Sequence, residues 1–385
     1  MKILFFNYEY PPLGGGAANA TAQILSEYSK IPDLMVDLVT SSADAEFHEE
    51  KMGGNVTVYK LPIGKNSQNL HFQSQKDLLV YAWKAYQFSQ KLIAKNYYDL
   101  THSFFTVPCG FLSWRVRKKH KIPYVISLRG ADVPGYSDRF SLIYWILKPI
   151  VKKIWKNAAA VVSNSEGLKK LARETKPDQE ISVIYNGVDV ENFKPEDRGR
   201  DMSKSSPFII TPGASRLTAR KGLKYLIEAV KDLSGKYPEI QLKIMGDGDA
   251  RADLENLAKD LKIENYVKFL GRIPRGKTAP YYQEASVFVL PSLNEGMSNA
   301  MLEALASGLP IIATDTGGTK ELVKDGENGY IIKMKDSDDI AEKIEKLIND
   351  SELRIKMGER SRQKALEMSW KKVAGKYFEL YRTIC

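Results

Sequence analysis

Along this chain, short runs of apolar residues alternate with longer stretches in which apolar positions recur every three or four residues. The short runs suit strands buried on both faces and the longer stretches suit helices that cover them, so the alternation predicts βαβ units and parallel sheets. In the first half, strands are expected at residues 2–7, 37–40, 56–60, 100–103, 124–128 and 160–163. A Gly14-Gly15-Gly16 loop and a helix over residues 17–30 follow the first of them. In the second half, strands are expected at 208–211, 241–245, 267–270, 287–290, 311–314 and 330–332, with helices beginning at Asp336 and Ser351. Both halves read as doubly wound α/β.

One stretch breaks the pattern. Residues 189–207 have no period, carry Pro195 and Pro207 among many charges, and read as a linker between domains at 1–188 and 208–369. The remainder, 370–385, is amphipathic: Val373, Tyr377, Leu380 and Tyr381 share a helical face and need a surface to cover, expected on the first domain.

Composition narrows the class. A length of 385 residues exceeds what one core usually organises and suffices for two. With 43% hydrophobic and 27% charged residues the chain has the balance of a packed globular protein. Cys109 and Cys385 are far apart and have no Cys or His nearby at ligand spacing, which fits a reducing cytoplasm and suggests neither a disulfide framework nor a zinc site. The apolar start turns polar at Asn7 and Glu9, too early for a signal peptide. No apolar run approaches the roughly 20 residues that cross a bilayer. The net charge of +10 is uneven: residues 1–186 hold 24 Lys/Arg against 16 Asp/Glu, and residues 187–369 hold 29 against 30. Within 101–176 there are 15 basic and 4 acidic residues. Arg115, Arg117, Lys118, Lys119 and Lys121 are followed by Leu142, Ile143, Tyr144, Trp145, Ile146 and Leu147, and then by Lys148, Lys152, Lys153 and Lys156. Although Pro149 interrupts that segment, its composition suits contact with an anionic membrane surface. A solvated basic face or a soluble acidic acceptor would use the same charge.

The strongest chemical signal runs from Leu293 to Ala306. It follows an expected strand, so its glycine-containing loop leads into a helix at the carboxyl edge of a sheet, where open α/β folds bind ligands. The N–H groups of Met297, Ser298 and Asn299 are expected in the first helical turn, where they favour an anion such as a diphosphate. Glu295 and Glu303 flank that position. At about 1.5 Å per residue their backbones are on the order of 12 Å apart, too far for the paired carboxyls of a retaining glycosidase at about 5–5.5 Å. The spacing suits a ligand with hydroxyl groups at both ends and phosphates between them, which describes a nucleotide sugar.

Other signals sit at expected strand ends. Gly213 precedes Arg216 and Lys221, two cations able to neutralise a diphosphate leaving group. Gly246-Asp247-Gly248-Asp249 reads either as an Asp-x-Asp metal pair or as a tight turn, and the turn is preferred; Asp336 reads as a helix cap. In the first half, Gly15 and Gly16 would let backbone approach a phosphate, and His102 is expected at the carboxyl end of its strand.

As an ordered set, these motifs resemble the retaining glycosyltransferases of family 4. The likeness spans nearly the whole chain: Pro12-Leu13-Gly14-Gly15-Gly16, Asn186-Gly187-Val188-Asp189 with Phe193 and Pro195, Arg216 with Lys221-Gly222-Leu223, Gly246-Asp247-Gly248, Gly271-Arg272, the Glu295/Glu303 motif and Gly317-Gly318 before Glu321. The resemblance implies the GT-B fold, two facing Rossmann-like domains with parallel sheets and an interdomain cleft. It implies that Arg216 and Lys221 bind donor phosphates, Glu303 the ribose, Glu295 the sugar hydroxyls, and Gly16 the donor through its backbone. Gly15, Gly213, Gly246, Arg272, Gly296, Met297, Ser298 and Asn299 complete the expected donor site. It implies no metal and no cofactor beyond the donor. Many relatives carry histidines where Phe104 and Arg129 stand here, so His102, Arg129 and Asp132 share the candidacy for positioning the sugar.

The expected partners are a UDP- or GDP-linked sugar, a glycan, lipid-linked or small-molecule acceptor, and an anionic membrane surface on the cytoplasmic side. Competing readings are a sugar-nucleotide 2-epimerase of the same architecture and a nucleic-acid-binding protein, the latter opposed by the lack of a recognition-helix motif. A glycan phosphorylase is disfavoured because no lysine is assignable to pyridoxal phosphate.

Overall fold

The computed structural model describes residues 1–66, 70, 73–136, 141–196 and 207–385. Residues 197–206, within the expected linker, lie outside the described residues, as do Phe140 and the side chains of Leu142, Ile143, Tyr144 and Trp145. The chain forms two compact units, residues 1–186 with 370–385, and residues 187–369.

The first unit is built on β1 (Lys2–Phe6), β2 (Met35–Ser41), β3 (His48–Met52), β4 (Val56–Leu61), β5 (Leu100–Phe104), β6 (Tyr124–Leu128), β7 (Ala160–Ser163) and β8 (Ser182–Val183). Their order in the sheet is β3-β4-β2-β1-β5-β6-β7-β8, parallel except for β3, which runs antiparallel to β4. The central strands are buried nearly throughout, as the apolar runs require of strands covered on both faces. β3 was not expected from the sequence: His-Glu-Glu-Lys-Met is an exposed edge with no apolar face to mark it. Pro149 does not interrupt the segment before β7; a helix runs through it from Ser141 to Asn157.

The helix Trp370–Ile384 belongs to this first unit. Trp370, Val373, Ala374, Tyr377 and Tyr381 are buried in its core. Burying a side chain of this size stabilises by about 2–3 kcal/mol, and here the phenolic oxygens are partnered as well. Tyr381 Oη lies 2.7 Å from His102 Nδ1 and 3.0 Å from Tyr28 Oη, while Tyr377 Oη lies 2.9 Å from Ser127 Oγ.

The second unit is built on β9 (Phe208–Thr211), β10 (Ala214–Arg216), β11 (Ile240–Asp247), β12 (Val267–Gly271), β13 (Val287–Leu290), β14 (Ile311–Thr314) and β15 (Gly329–Ile332). The order is β10-β11-β9-β13-β14-β15 with β12 also on β11, and every pairing is parallel. Part of the expected linker packs here as ordered structure. Phe193 is buried edge-on against Tyr282, with ring centres 5.6 Å apart, and Asp189 Oδ1 accepts from the N–H groups of Glu191 and Asn192.

Candidate active site

In the second unit the chemistry gathers where parallel strands end and helices begin. The 3-10 turn Ala219–Lys221 follows β10, and residues 291–298 follow β13. Backbone contacts join the two segments: Leu293 N–H donates to the Arg220 carbonyl at 2.8 Å, and Gly222, at φ 65°, is packed on the Pro291 carbonyl. The result is that Lys221 Nζ donates to Glu295 Oε2, in an ion pair whose side chains are only 12% and 15% exposed. Gly317, just beyond β14, supports the other side of Glu295. At φ 51° it lies so close that an added Cβ would stand 1.9 Å from the Glu295 carbonyl oxygen, and Gly318 N–H donates to the Gly296 carbonyl at 3.0 Å.

The helix after this loop is Asn299–Ala306, with Ser298 as its N-cap accepting from Met301 N–H at 3.3 Å. This corrects the placement expected for Met297 and Ser298, which precede the first turn instead of forming it. Ser298 and Met297 are buried. The first helical N–H is that of Asn299. Because the residues between Glu295 and Ser298 are not helical, helical rise does not set the separation of Glu295 and Glu303.

Glu303 is buried within that helix and accepts from Tyr282 Oη at 2.9 Å. Tyr282 is fully buried, and the same hydroxyl lies against Gly213, where an added Cβ would stand 2.5 Å from it. Gly213, Tyr282 and Glu303 thus form one packed group. No sequence feature marked Tyr282; only its buried setting in Ala279–Gln283 reveals it.

Arg216 ends β10 as an exposed cation, in register with Asp247. Gly246, at φ 127°, and Asp247 end β11, where Asp247 Oδ1 accepts from its neighbour Gly248 N–H at 2.8 Å, and the turn follows, with Arg251 N–H donating to the Gly248 carbonyl at 3.1 Å. Gly248 in turn lies against the Leu217 carbonyl, which ties this turn to the Arg216 segment. Arg272, exposed, follows β12. Asp336 caps its helix by accepting from Asp339 N–H at 2.9 Å.

In the first unit, Gly15 is the N-cap of the helix Gly16–Tyr28, and its N–H points at Glu9 Oε2, 3.4 Å away. Burial raises the Glu9 carboxyl to about 7 against the opposing pull of backbone N–H groups at Gly15 and Ala18. In the sequence Glu9 marks only where the apolar start turns polar; an acid five residues before a glycine loop carries no recognisable signal.

His102 is corrected in place. It sits within β5 rather than at its end, with 0% exposure, Nε2 at 2.8 Å from Ser127 Oγ, Nδ1 bonded to Tyr381, and its ring stacked on Phe5 at 4.4 Å. Burial first, and then Arg129, push its pKa well below the usual value. The ring therefore offers no free nitrogen to a ligand in this structure. Arg129 lies half-buried over the Phe104 ring and donates to Asn186 Oδ1 at 2.8 Å. Asp132 is buried and accepts from the N–H groups of Thr106, Arg129 and Gly130, so its carboxylate shapes the loops after β5 and β6.

Comparison with known proteins follows the same division. The family described as Glycosyltransferase Family 4 matches residues 14–192, and that described as Glycosyl transferases group 1 matches residues 194–364. A D-inositol 3-phosphate glycosyltransferase of Corynebacterium kroppenstedtii is 30% identical over 310 residues, covering 74% of this chain and 67% of its own. A sucrose-phosphate synthase from Thermosynechococcus elongatus shares the fold with a TM-score of 0.84 at 22% identity, over 100% of this chain and 98% of its own. Anabaena HepE, solved in complex with UDP, matches with a TM-score of 0.74 at 19% identity, over 100% of both chains.

Proposed function

We propose a reaction from one premise: the chain belongs to glycosyltransferase family 4 and has the GT-B fold. It is a retaining glycosyltransferase that uses a nucleotide-sugar donor. In the reaction we infer, the donor carries UDP, the nucleotide bound by the similar HepE. Arg216 and Lys221 neutralise the diphosphate as it leaves, Glu295 holds hydroxyls of the transferred sugar, and Glu303 holds the ribose. The backbone of Gly296, Met297, Ser298 and Asn299, with Gly213, Gly246 and Arg272, lines the donor.

The observation that supports this reading best is the Lys221–Glu295 pair, held between two glycines immediately before a helix N-terminus. A cation beside the positive end of a helix suits a diphosphate, and a carboxylate in the same place suits sugar hydroxyls. Preorganised positive charge at the leaving group lowers the barrier directly. We assign retention to attack from the face that the leaving group departs. The bond from the anomeric carbon to the phosphate oxygen breaks, the acceptor oxygen bonds to that carbon, and the departing phosphate oxygen takes the acceptor proton. The products are the glycoside and the nucleoside diphosphate.

For the acceptor we favour a lipid or lipid-linked glycan at an anionic membrane surface. Lys148, Lys152, Lys153 and Lys156 are exposed on the helix Ser141–Asn157, and Ile146 is 65% exposed. Among the described residues no helix is long and apolar enough to cross a membrane.

A panel of nucleotide sugars tests the donor assignment. UDP sugars should raise the melting temperature of the wild-type chain and lose that effect in Arg216→Ala and Lys221→Ala. Stabilisation by GDP sugars alone overturns the UDP assignment. Conversion of the donor to its 2-epimer without acceptor would move the chain to the epimerase class.

A further inference from the structure

The first unit has a second concentration of charge, at the opposite edge of its sheet from the glycine loop. The strands β1, β5 and β6 are parallel, so Gly14–Gly16 lies at their carboxyl edge. Lys121 and Pro123 lie at the amino edge, just before β6, and β6 itself spans about 13 Å between the two edges. There, Trp114, Arg117, Lys118, Lys121, Pro123 and Asn157 line a cavity of 510 Å³. No carboxylate is among them.

Each side chain is brought there by its element. Trp114, Arg117 and Lys118 lie on the helix Phe111–His120, and Lys121 is its C-cap. Asn157 closes the helix Ser141–Asn157, its Nδ2 donating to the Lys153 carbonyl at 2.7 Å. Trp114 is 8% exposed and forms the cavity's apolar wall, with Lys118 Nζ 4.3 Å and Lys153 Nζ 5.7 Å from its ring centre. Arg117 lies over the Tyr124 ring at 6.0 Å.

Cations at helix C-termini have an ordinary explanation, since they offset the negative end of the helix dipole. Magnitudes decide against that being the whole account. Two helix ends amount to roughly one negative charge, whereas Arg117, Lys118, Lys121 and Lys153 supply four positive ones. Among the described residues none of the four is in an ion pair with a carboxylate; Asp178, which feels the charge of Lys156, pairs with Lys176.

We propose that this cavity is a phosphate-binding site separate from the donor site, taking a phosphomonoester or diphosphate between Arg117, Lys118 and Lys121. Arginine supplies planar donors to phosphate oxygens and the lysines add mobile point charges. The apolar wall at Trp114 accepts the carbon skeleton that bears the phosphate. Such a group is found on an acidic lipid headgroup and on soluble phosphate compounds, and the chemistry of the cavity is the same for both.

The test uses inorganic pyrophosphate as the first probe, in calorimetric titrations of the full chain. In an R216Q/K221Q background, which removes the cations proposed to hold the donor diphosphate, one pyrophosphate site should remain. Adding R117Q/K118Q/K121Q should weaken it tenfold or more, with far-UV circular dichroism unchanged. The R117Q/K118Q/K121Q protein alone should keep its donor-dependent thermal shift, so failure here is distinguishable from failure of the donor assignment. The second probe is flotation with phosphatidylcholine vesicles with and without phosphatidic acid. Retention on acidic vesicles that pyrophosphate competes away and that R117Q/K118Q/K121Q loses identifies a lipid headgroup. Pyrophosphate binding without vesicle retention identifies a soluble ligand. Equal behaviour of the R216Q/K221Q protein with and without the three added substitutions, toward both probes, overturns the proposal.

Discussion

Lys221 and Glu295 meet because their backbones are fastened together: Leu293 N–H bonds to the Arg220 carbonyl, and Gly222 rests on Pro291. If Lys221 is there to stabilise a departing diphosphate, Lys221→Ala should lower kcat/KM by about 100-fold or more. The melting temperature should move by only a few degrees, because the pair itself contributes modestly to stability. The reversed pair, Lys221→Glu with Glu295→Lys, is the deciding control. It restores an ion pair but should restore no activity; recovered turnover would make the contact merely structural.

Gly317 and Gly222 are predicted to be irreplaceable for reasons a less confined glycine does not share. An added Cβ would lie 1.9 Å from the Glu295 carbonyl at Gly317 and 2.1 Å from the Pro291 carbonyl at Gly222, and both residues have positive φ. Gly317→Ala and Gly222→Ala should each destabilise by about 2 kcal/mol or more and displace the Lys221–Glu295 pair. Gly235→Ala and Gly276→Ala, with nothing within 4 Å, should remain within about 1 kcal/mol of wild type. Urea unfolding and donor turnover of the four variants would separate the two groups.

Tyr282→Phe removes the hydroxyl that bonds Glu303 and leaves the ring packed against Phe193. A carboxylate that has lost this partner should bind donor less well, so KM for the donor should rise by about tenfold with kcat changed less. The cost in stability should be about 1 kcal/mol, that of one hydrogen bond. An unchanged KM would take Tyr282 out of the donor site.

Glu9 gives a pH dependence with a definite sign. Its carboxyl is raised to about 7 in the folded chain, from an ordinary value near 4.5, so between these values the folded state holds a proton that the unfolded state releases. Stability from this group therefore falls as pH rises through that window and levels off above it. Glu9→Gln should match wild type near pH 4.5 and exceed it at pH 8, by at most about 3 kcal/mol given partial solvent screening. Urea midpoints at several pH values would show the two curves diverging; parallel curves would mean that the carboxyl titrates normally.

Much of this architecture was legible because buried parallel strands write themselves as apolar runs, as at Val287–Leu290 and Ile311–Thr314. The glycines at 213, 222 and 317 were legible as motif members, though not as what they are in space, supports against Tyr282, Pro291 and Glu295. Three features left no periodic trace. The strand His48–Met52 is an exposed edge, Tyr282 acts across 21 positions on Glu303, and Phe193 anchors a segment whose charges and prolines look like linker. His102 was misplaced although the covering helix itself was legible, because its period does not say which strand Tyr377 and Tyr381, more than 270 positions away, will reach.

That covering helix makes the first unit discontinuous in time as well as in sequence. During synthesis, residues 1–186 emerge complete with Tyr28, His102 and Ser127, yet the hydroxyl partners and the apolar cover for them are still unmade. The whole of residues 187–369 must be translated before Trp370 arrives. At 5–20 residues per second that interval is on the order of 10–40 seconds, long enough for the second unit to fold while the first waits with an open face. The nascent chain thus matures from the middle outward, and its earliest strands are the last to be sealed.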